Sequence, residues 1–277
     1  MSTGIIYVFG SNLAARFISD EQRFALRWHG VNPRITEGPT AQAYALPLWD
    51  KNLAELPDQE LSINVKKFFG YAERRSDLLF EVPRIGSEAG PATERKIARL
   101  FLNCPANCRL PGAWEQLRKP GLLRLWVVAR WPGLSGLDYQ LIYSALNHYL
   151  PVLKNETVGQ QVIYAVYGKS SVWMKQWADK EGIDIHEYKE EFFNHGQHAS
   201  TVLHGKLMMA CTEVLALESR SIYIEAILKQ AKRSGIKSRL IKRVQHTDEH
   251  RHSHRRIPVA NAPAEKPRRN TDVSSRR

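Results

Sequence analysis

Short apolar runs of strand character alternate with stretches whose apolar residues recur at helical spacing, and this alternation limits what the chain can fold into. Ile5 to Phe9, Pro39 to Pro47 (centred on Tyr44, Ala45 and Leu46) and Leu79 to Val82 read as strands. Between and after them, Leu13 to Trp28 reads as a helix. Leu61, Val65, Phe68, Phe69 and Ala72 bury one face of a second, and Ile97, Leu100 and Phe101 mark a third. Leu110-Pro111-Gly112-Ala113-Trp114 through Lys119-Pro120-Gly121 has the punctuation of a domain end. The alternation then restarts. Leu123 to Val128, Val162 to Val166, Ile183 to Tyr188, Val214 to Leu217 and Leu240-Ile241 are strand-like. Helices fall around Leu141 to Leu150, Trp173 to Lys180, Val202 to Cys211 and Ile222 to Ser234. Such alternation builds parallel sheets covered on both faces.

The expected fold is therefore α/β, with two small domains at 1–117 and 122–245, a linker at 118–121 and a tail at 246–277. The second domain has the pattern of a doubly wound sheet. The chain of 277 residues is long enough for two cores. The tail has almost nothing apolar to bury, so disorder is expected there.

Charge is distributed unevenly. The formal net charge is +12, yet Leu228 to Arg277 holds 15 Lys/Arg against 4 Asp/Glu, which leaves about +1 for the remaining residues. The positive field thus belongs to the last helix, the last strand and the tail. Nothing approaches the roughly 20 apolar residues of a membrane-spanning helix. The start lacks the charged and cleavable features of a signal peptide. Three cysteines (Cys104, Cys108, Cys211) make no disulfide framework. A soluble, cytoplasmic protein without membrane contact is expected.

Gly10-Ser11-Asn12 and Ile85-Gly86-Ser87-Glu88-Ala89-Gly90 each follow a strand, where glycine lets backbone approach an anion. Both equally read as ordinary turns. In the tail, His246, His250, His252 and His254 fit a solvated stretch better than a four-ligand metal site, and no metal is expected. The pairs Arg255-Arg256, Arg268-Arg269 and Arg276-Arg277 suit an acidic protein partner or the phosphates of nucleic acid. Cys104 and Cys108 read as small buried hydrophobes, and Trp126, Trp131, Trp173 and Trp177 as core and interface anchors.

The run Tyr7 to Ala14, Gly38-Pro39-Thr40 with Tyr44 to Pro47, Arg84-Ile85-Gly86 with Ala89-Gly90, Ala98 to Phe101 and Leu110 to Trp114 resembles a macro-like domain recurrent in bacteriophage proteins. That resemblance implies an ADP-ribose-type ligand held near Gly10, Ser11, Asn12, Gly86 and Gly90. The chain departs from the family at Ala15 to Asp20, where bulky residues replace a Gly/Ala-rich loop, and at Ser87-Glu88, which replaces Cys-Gly. Residues 123–242 resemble the SLOG superfamily of Rossmann-like nucleotide-binding proteins, with Gly168, Lys169 and Ser170 standing where its phosphate loop runs. Here too the ligand positions differ: Ala129-Arg130-Trp131 replaces Gly-Ser-Arg, and His204-Gly205 replaces Arg-Asn.

Taken together, these resemblances imply a bacteriophage protein acting in the bacterial host cytoplasm. The implied function is non-enzymatic binding or adaptation, with no catalytic residue and no cofactor. Two degenerate nucleotide-binding folds would form a scaffold for a protein partner, for example in protein import into a phage nucleus. Two other readings stand beside it. One is a binder or hydrolase of an NAD- or ADP-ribose-derived nucleotide in counter-defence. The other is non-specific nucleic-acid binding through the basic carboxy-terminal end.

Overall fold

The computed structural model describes residues 4–16, 19–129, 135–155, 159–165, 169–218 and 222–243, the side chains of 169–171 excepted. The described residues up to Arg243 belong to one compact unit, and 244–277, where the tail was expected, lie outside the described residues. The fold is α/β. Among the described residues, no helix is long and apolar enough to cross a membrane.

The amino-terminal half contains β1 (Gly4–Asn12), β2 (Gly38–Thr40), β3 (Ala43–Trp49), β4 (Leu78–Glu81) and β5 (Cys108–Arg109). They form a five-stranded sheet in the order β2-β3-β1-β4-β5, parallel except for β2. Its helices are α1 (Asp20–Trp28), α2 (Asp58–Arg74), α3 (Pro91–Leu100) and α4 (Gly112–Arg118). The period-two alternation of β1 divides its side chains between two layers. Val8 joins Leu61, Val65, Phe68 and Ala72 of α2 and Ile97 of α3. Tyr7 and Phe9 face the other way, toward Ala25 of α1.

The second half contains β6 (Arg124–Val128), α5 (Gly136–Asn147), α6 (Leu150–Leu153), β7 (Gln161–Ala165), α7 (Lys169–Glu181) and β8 (Ile185–Tyr188). The one-turn α8 (Phe192–His195), then α9 (Ala199–Ala210), β9 (Glu213–Leu217), α10 (Ile222–Arg233) and β10 (Lys237–Ile241) complete it. The sheet is parallel throughout, in the order β10-β9-β6-β7-β8. Numbered within this half, that order is 5-4-1-2-3, which is how doubly wound sheets are built. Ile142, Leu146, Met174 and Trp177 from α5 and α7 cover one face. Leu203, Leu207, Ile224 and Ile227 from α9 and α10 cover the other, over Trp126, Val128 and Ile163.

Several local expectations are corrected. Gly10, Ser11 and Asn12 are not a tight turn: they continue β1, paired with Leu46, Pro47 and Trp49 of β3. The helix predicted from Leu13 begins only at Asp20, because Ala15 adopts φ +54°, a left-handed conformation no α-helix accommodates. Ser19 and Gln22 form a capping box there, with Gln22 N–H donating to Ser19 Oγ at 3.1 Å and Ser19 N–H to Gln22 Oε1 at 3.1 Å. The single strand predicted over 39–47 is a hairpin of β2 and β3. The domain end read from Leu110 to Gly121 is not among these corrections: helix α4 occupies Gly112–Arg118 within it and packs Trp114 into the first core. A Cβ on Gly112 would stand 2.4 Å from the Ala210 carbonyl oxygen, so only glycine allows α4 this close to the end of α9.

Trp126 and Trp177 are buried, Trp173 is half-buried against Tyr139, and Trp131 lies outside the described residues. Cys104 and Cys108 are buried, as expected of small hydrophobes, but they also interact with each other. The shared thiol hydrogen bond, with burial second, pushes Cys108 up; the same bond, aided by Arg118, holds Cys104 down.

Candidate functional site

Helix α9 carries apolar residues on most of its sides, with Ala199, Val202, Leu203, Leu207 and Met208 all buried. A helix of that kind is covered on both flanks. It lies between the second sheet and the first half of the chain, and a cleft of about 470 Å³ opens where the two halves meet. Its walls come from α1, the segment after β4, α9 and α10. Phe24, Trp28 and Met209 supply apolar surface, and Glu21, Glu88 and Lys206 supply charge. Clefts of this composition at the meeting of two sheets are where ligands most often bind.

Arg84 anchors one end of this seam. Its Nε and Nη2 donate to the two carboxylate oxygens of Glu94 at 2.6 and 2.8 Å, and its Nη1 donates to the Ser234 carbonyl at 2.6 Å. Glu94 also accepts from Trp114 Nε1 at 3.1 Å. The Ser234 carbonyl is at the end of α10, where backbone acceptors lack partners and positive charge is favoured. At the other end, Trp28 packs edge-on against His195 with ring centroids 4.8 Å apart, and Arg27 Nη2 lies 2.9 Å from His198 Nε2.

Glu21 is the most perturbed carboxyl of the cleft. Burial is the main cause that lifts it from 4.5 to about 7, with the neighbouring Glu88 adding to it. Hydrogen bonds from its own backbone, Ser19 and Gly86 oppose the rise. Its Oε1 is buried with no hydrogen-bond partner among the described residues. Burial likewise raises Tyr7, aided by Glu21. His29, stacked on Tyr7 at 4.9 Å, is lowered to about 4 by burial, then by Lys206 and His195.

The sign for Glu21 follows from linkage. A carboxyl that holds its proton more tightly in the folded state stabilises the fold below about pH 4.5, and the contribution is lost as pH rises through 7. The expected size is about 3 kcal/mol. His29 works the other way: its contribution is present above 6.5 and is lost as pH falls through 4. Glu21→Gln leaves His29 in place, so the difference between variant and parent isolates Glu21. The variant is expected to match the parent near pH 4 and to exceed its stability by about 3 kcal/mol at pH 8. Urea unfolding across pH reads this, and a constant difference would remove Glu21 as the source.

The predicted ligand residues of the first half are occupied internally. Asn12 Nδ2 donates to the Arg16 carbonyl at 2.6 Å while its Oδ1 accepts from Arg16 N–H at 3.0 Å, clamping the loop that holds Ala15. Ser11 Oγ donates to the Thr36 carbonyl, and the Gly10 carbonyl accepts from Gln22 Nε2 at 2.7 Å. Gly86 adopts φ +80° and fits against Ile97, where a Cβ would stand 2.5 Å from Cδ1. Gly90 adopts φ +114° at the start of α3. Glu88 Oε1 accepts from Asp20 N–H at 2.6 Å, so the first turn of α1 already has its anion.

Lys169 and Ser170 begin α7 after the carboxyl end of β7, their side chains undescribed; Gly168 lies outside the described residues. Arg255, Arg256, Arg268 and Arg269 also lie outside them. Among the described residues, no group of three or more His, Cys, Asp or Glu is placed to hold a metal.

Glu21 and the seam role of Arg84 were not anticipated from the sequence. Ser19-Asp20-Glu21-Gln22 carries a legible capping-box pattern that would have placed Glu21 in a first helical turn. No local signal pairs Arg84 with Ser234, 150 residues away. Comparison with protein-family models, with curated proteins and with solved structures gives no match.

Proposed function

We propose that this chain is a non-enzymatic binding or adaptor protein of bacteriophage type, acting in the host cytoplasm. In this reading macro-like and Rossmann-like frameworks form one scaffold, and the basic carboxy-terminal end engages an acidic protein partner. One observation carries it: the polar groups that a nucleotide would need in the first half are already used to close the fold. Asn12 clamps its own loop, Ser11 Oγ donates to the Thr36 carbonyl, and the Gly10 carbonyl accepts from Gln22 Nε2. A ligand would have to break these bonds, at roughly 1–3 kcal/mol for each buried group left unpaired.

Calorimetric titration of the full chain with ADP-ribose tests the proposal. No saturable heat is expected. A tight one-to-one complex would overturn it.

The open cleft and the perturbed Glu21 favour a second reading, a binder or hydrolase of an NAD-derived nucleotide at the seam. Under that reading ADP-ribose raises the melting temperature, and Glu21→Gln changes the increment. Under the scaffold reading no increment exists to change.

A further inference from the structure

A smaller cleft, of about 210 Å³, is walled by β5 and the turn after it, the first residues of β6 and β7, β8, and α9. Its chemistry is out of keeping with the sheet face on which it lies. Trp126 and Val128 of β6 pack under α9 and α10, and Arg124 is in phase with them, so it projects to the same side. Gln161 sits beside Arg124 in register and in phase with Ile163 and Ala165. His186 and Tyr188 stand opposite those two residues on β8. An otherwise apolar face therefore ends in a polar group led by an arginine.

That arginine is half-buried, and its guanidinium makes no hydrogen bond or ion pair with any described residue. Its backbone is fixed, with Arg124 N–H donating to Thr212 Oγ1 at 2.9 Å. From the first sheet, Arg109 enters the same cleft, and its nearest carboxylate, Glu81, is 3.9 Å away at the limit of ion pairing. Lys206 is already paired with Glu191 at 3.0 Å. Arg109, Arg124 and Tyr188 thus line one cleft; burial raises the Tyr188 phenol, and the two arginines act against the rise.

We infer that this cleft binds the phosphate group of a small phosphate monoester, through Arg109, Arg124 and the Tyr188 hydroxyl. Guanidinium forks match the terminal oxygens of phosphate, and the phenol supplies one further donor. Val82, Leu110 and Met209 line the remaining wall and would take the organic part of the ester. Arg109 and Arg124 come from different sheets, so the site is complete only when both halves are packed together. This inference is independent of the adaptor reading. ADP-ribose has no terminal phosphate monoester, so the two titrations read different groups.

Titrating the full chain with ribose 5-phosphate, and with ribose as the phosphate-free control, tests it. Saturable one-to-one heat is expected for the first and none for the second. Arg124→Gln is expected to weaken binding by about tenfold or more, with no loss of urea stability, because the side chain holds no internal bond. Arg109→Gln is the second variant, should the first fail to fold, and is expected to weaken binding similarly. Inorganic phosphate separates the sources: binding as tight as that of the ester supports the site with free phosphate as its occupant. Absence of saturable heat with both phosphates, or unchanged affinity in both variants, would overturn the proposal.

Discussion

In urea, Arg84→Ala is expected to unfold with about 3–5 kcal/mol less stability than the parent chain. The side chains of Arg84 and Glu94 are only 18% and 11% exposed, so removing the arginine leaves a carboxylate largely out of water. Trp114 Nε1 remains as one donor to it, and the Ser234 carbonyl loses its guanidinium partner as well. The loss is mainly the penalty of the abandoned charge, not the net worth of the pair. Arg84→Met combined with Glu94→Gln should therefore recover at least half of it, because neither charge is left buried and glutamine still accepts from Trp114. A loss below about 1 kcal/mol for the single variant would place this pair among ordinary surface ion pairs. Because Arg84 reaches across to the end of α10, the same variant should loosen the seam around the larger cleft.

Phe68→Ala is expected to cost a similar 3–5 kcal/mol, for an unrelated reason. Phe68 is fully buried on α2, with its ring centroid 5.0 to 5.9 Å from those of Tyr44, Phe69, Phe80 and Phe101. Alanine forfeits the transfer energy of the ring and leaves a cavity that four neighbouring aromatics cannot easily fill. Phe68→Leu should cost about half as much. Urea unfolding at constant slope reads both, and equal stabilities for the two variants would mean that the site collapses around the smaller residue.

Phe68 and Arg84 differ in how legible they were. The spacing of Leu61, Val65, Phe68 and Ala72 puts four apolar side chains on one helical face, and all four are buried. That is a local property, set by 3.6 residues per turn. The strands of the second sheet were legible for the same reason, since Leu125 to Val128 and Val214 to Leu217 are apolar at every position, as parallel strands covered on both faces must be. Asn12 and Glu88 were harder. Both were noted in the sequence, Asn12 as a candidate ligand residue and Glu88 as part of a departure from the family's Cys-Gly. Their actual partners, the backbone of Arg16 and of Asp20, depend on how the chain turns between β1 and α1. The left-handed Ala15 decides that turn, and alanine carries no sequence signal for positive φ.

By itself, the sequence determined the α/β class, the alternation that makes two sheets, the faces that become cores and the concentration of positive charge after Leu228. These follow from periodicity and composition, which act over a few residues or over averages. Only the tertiary structure decided which polar residues are used up and which stay available. It joined Arg84 to Ser234, placed Glu21 under a cleft between the halves, and brought Arg109 and Arg124 from different sheets into one space. The physical reason is that hydrogen bonds and charges act across a few ångströms of space regardless of distance along the chain. Their partners are therefore fixed by packing, which no window of sequence contains.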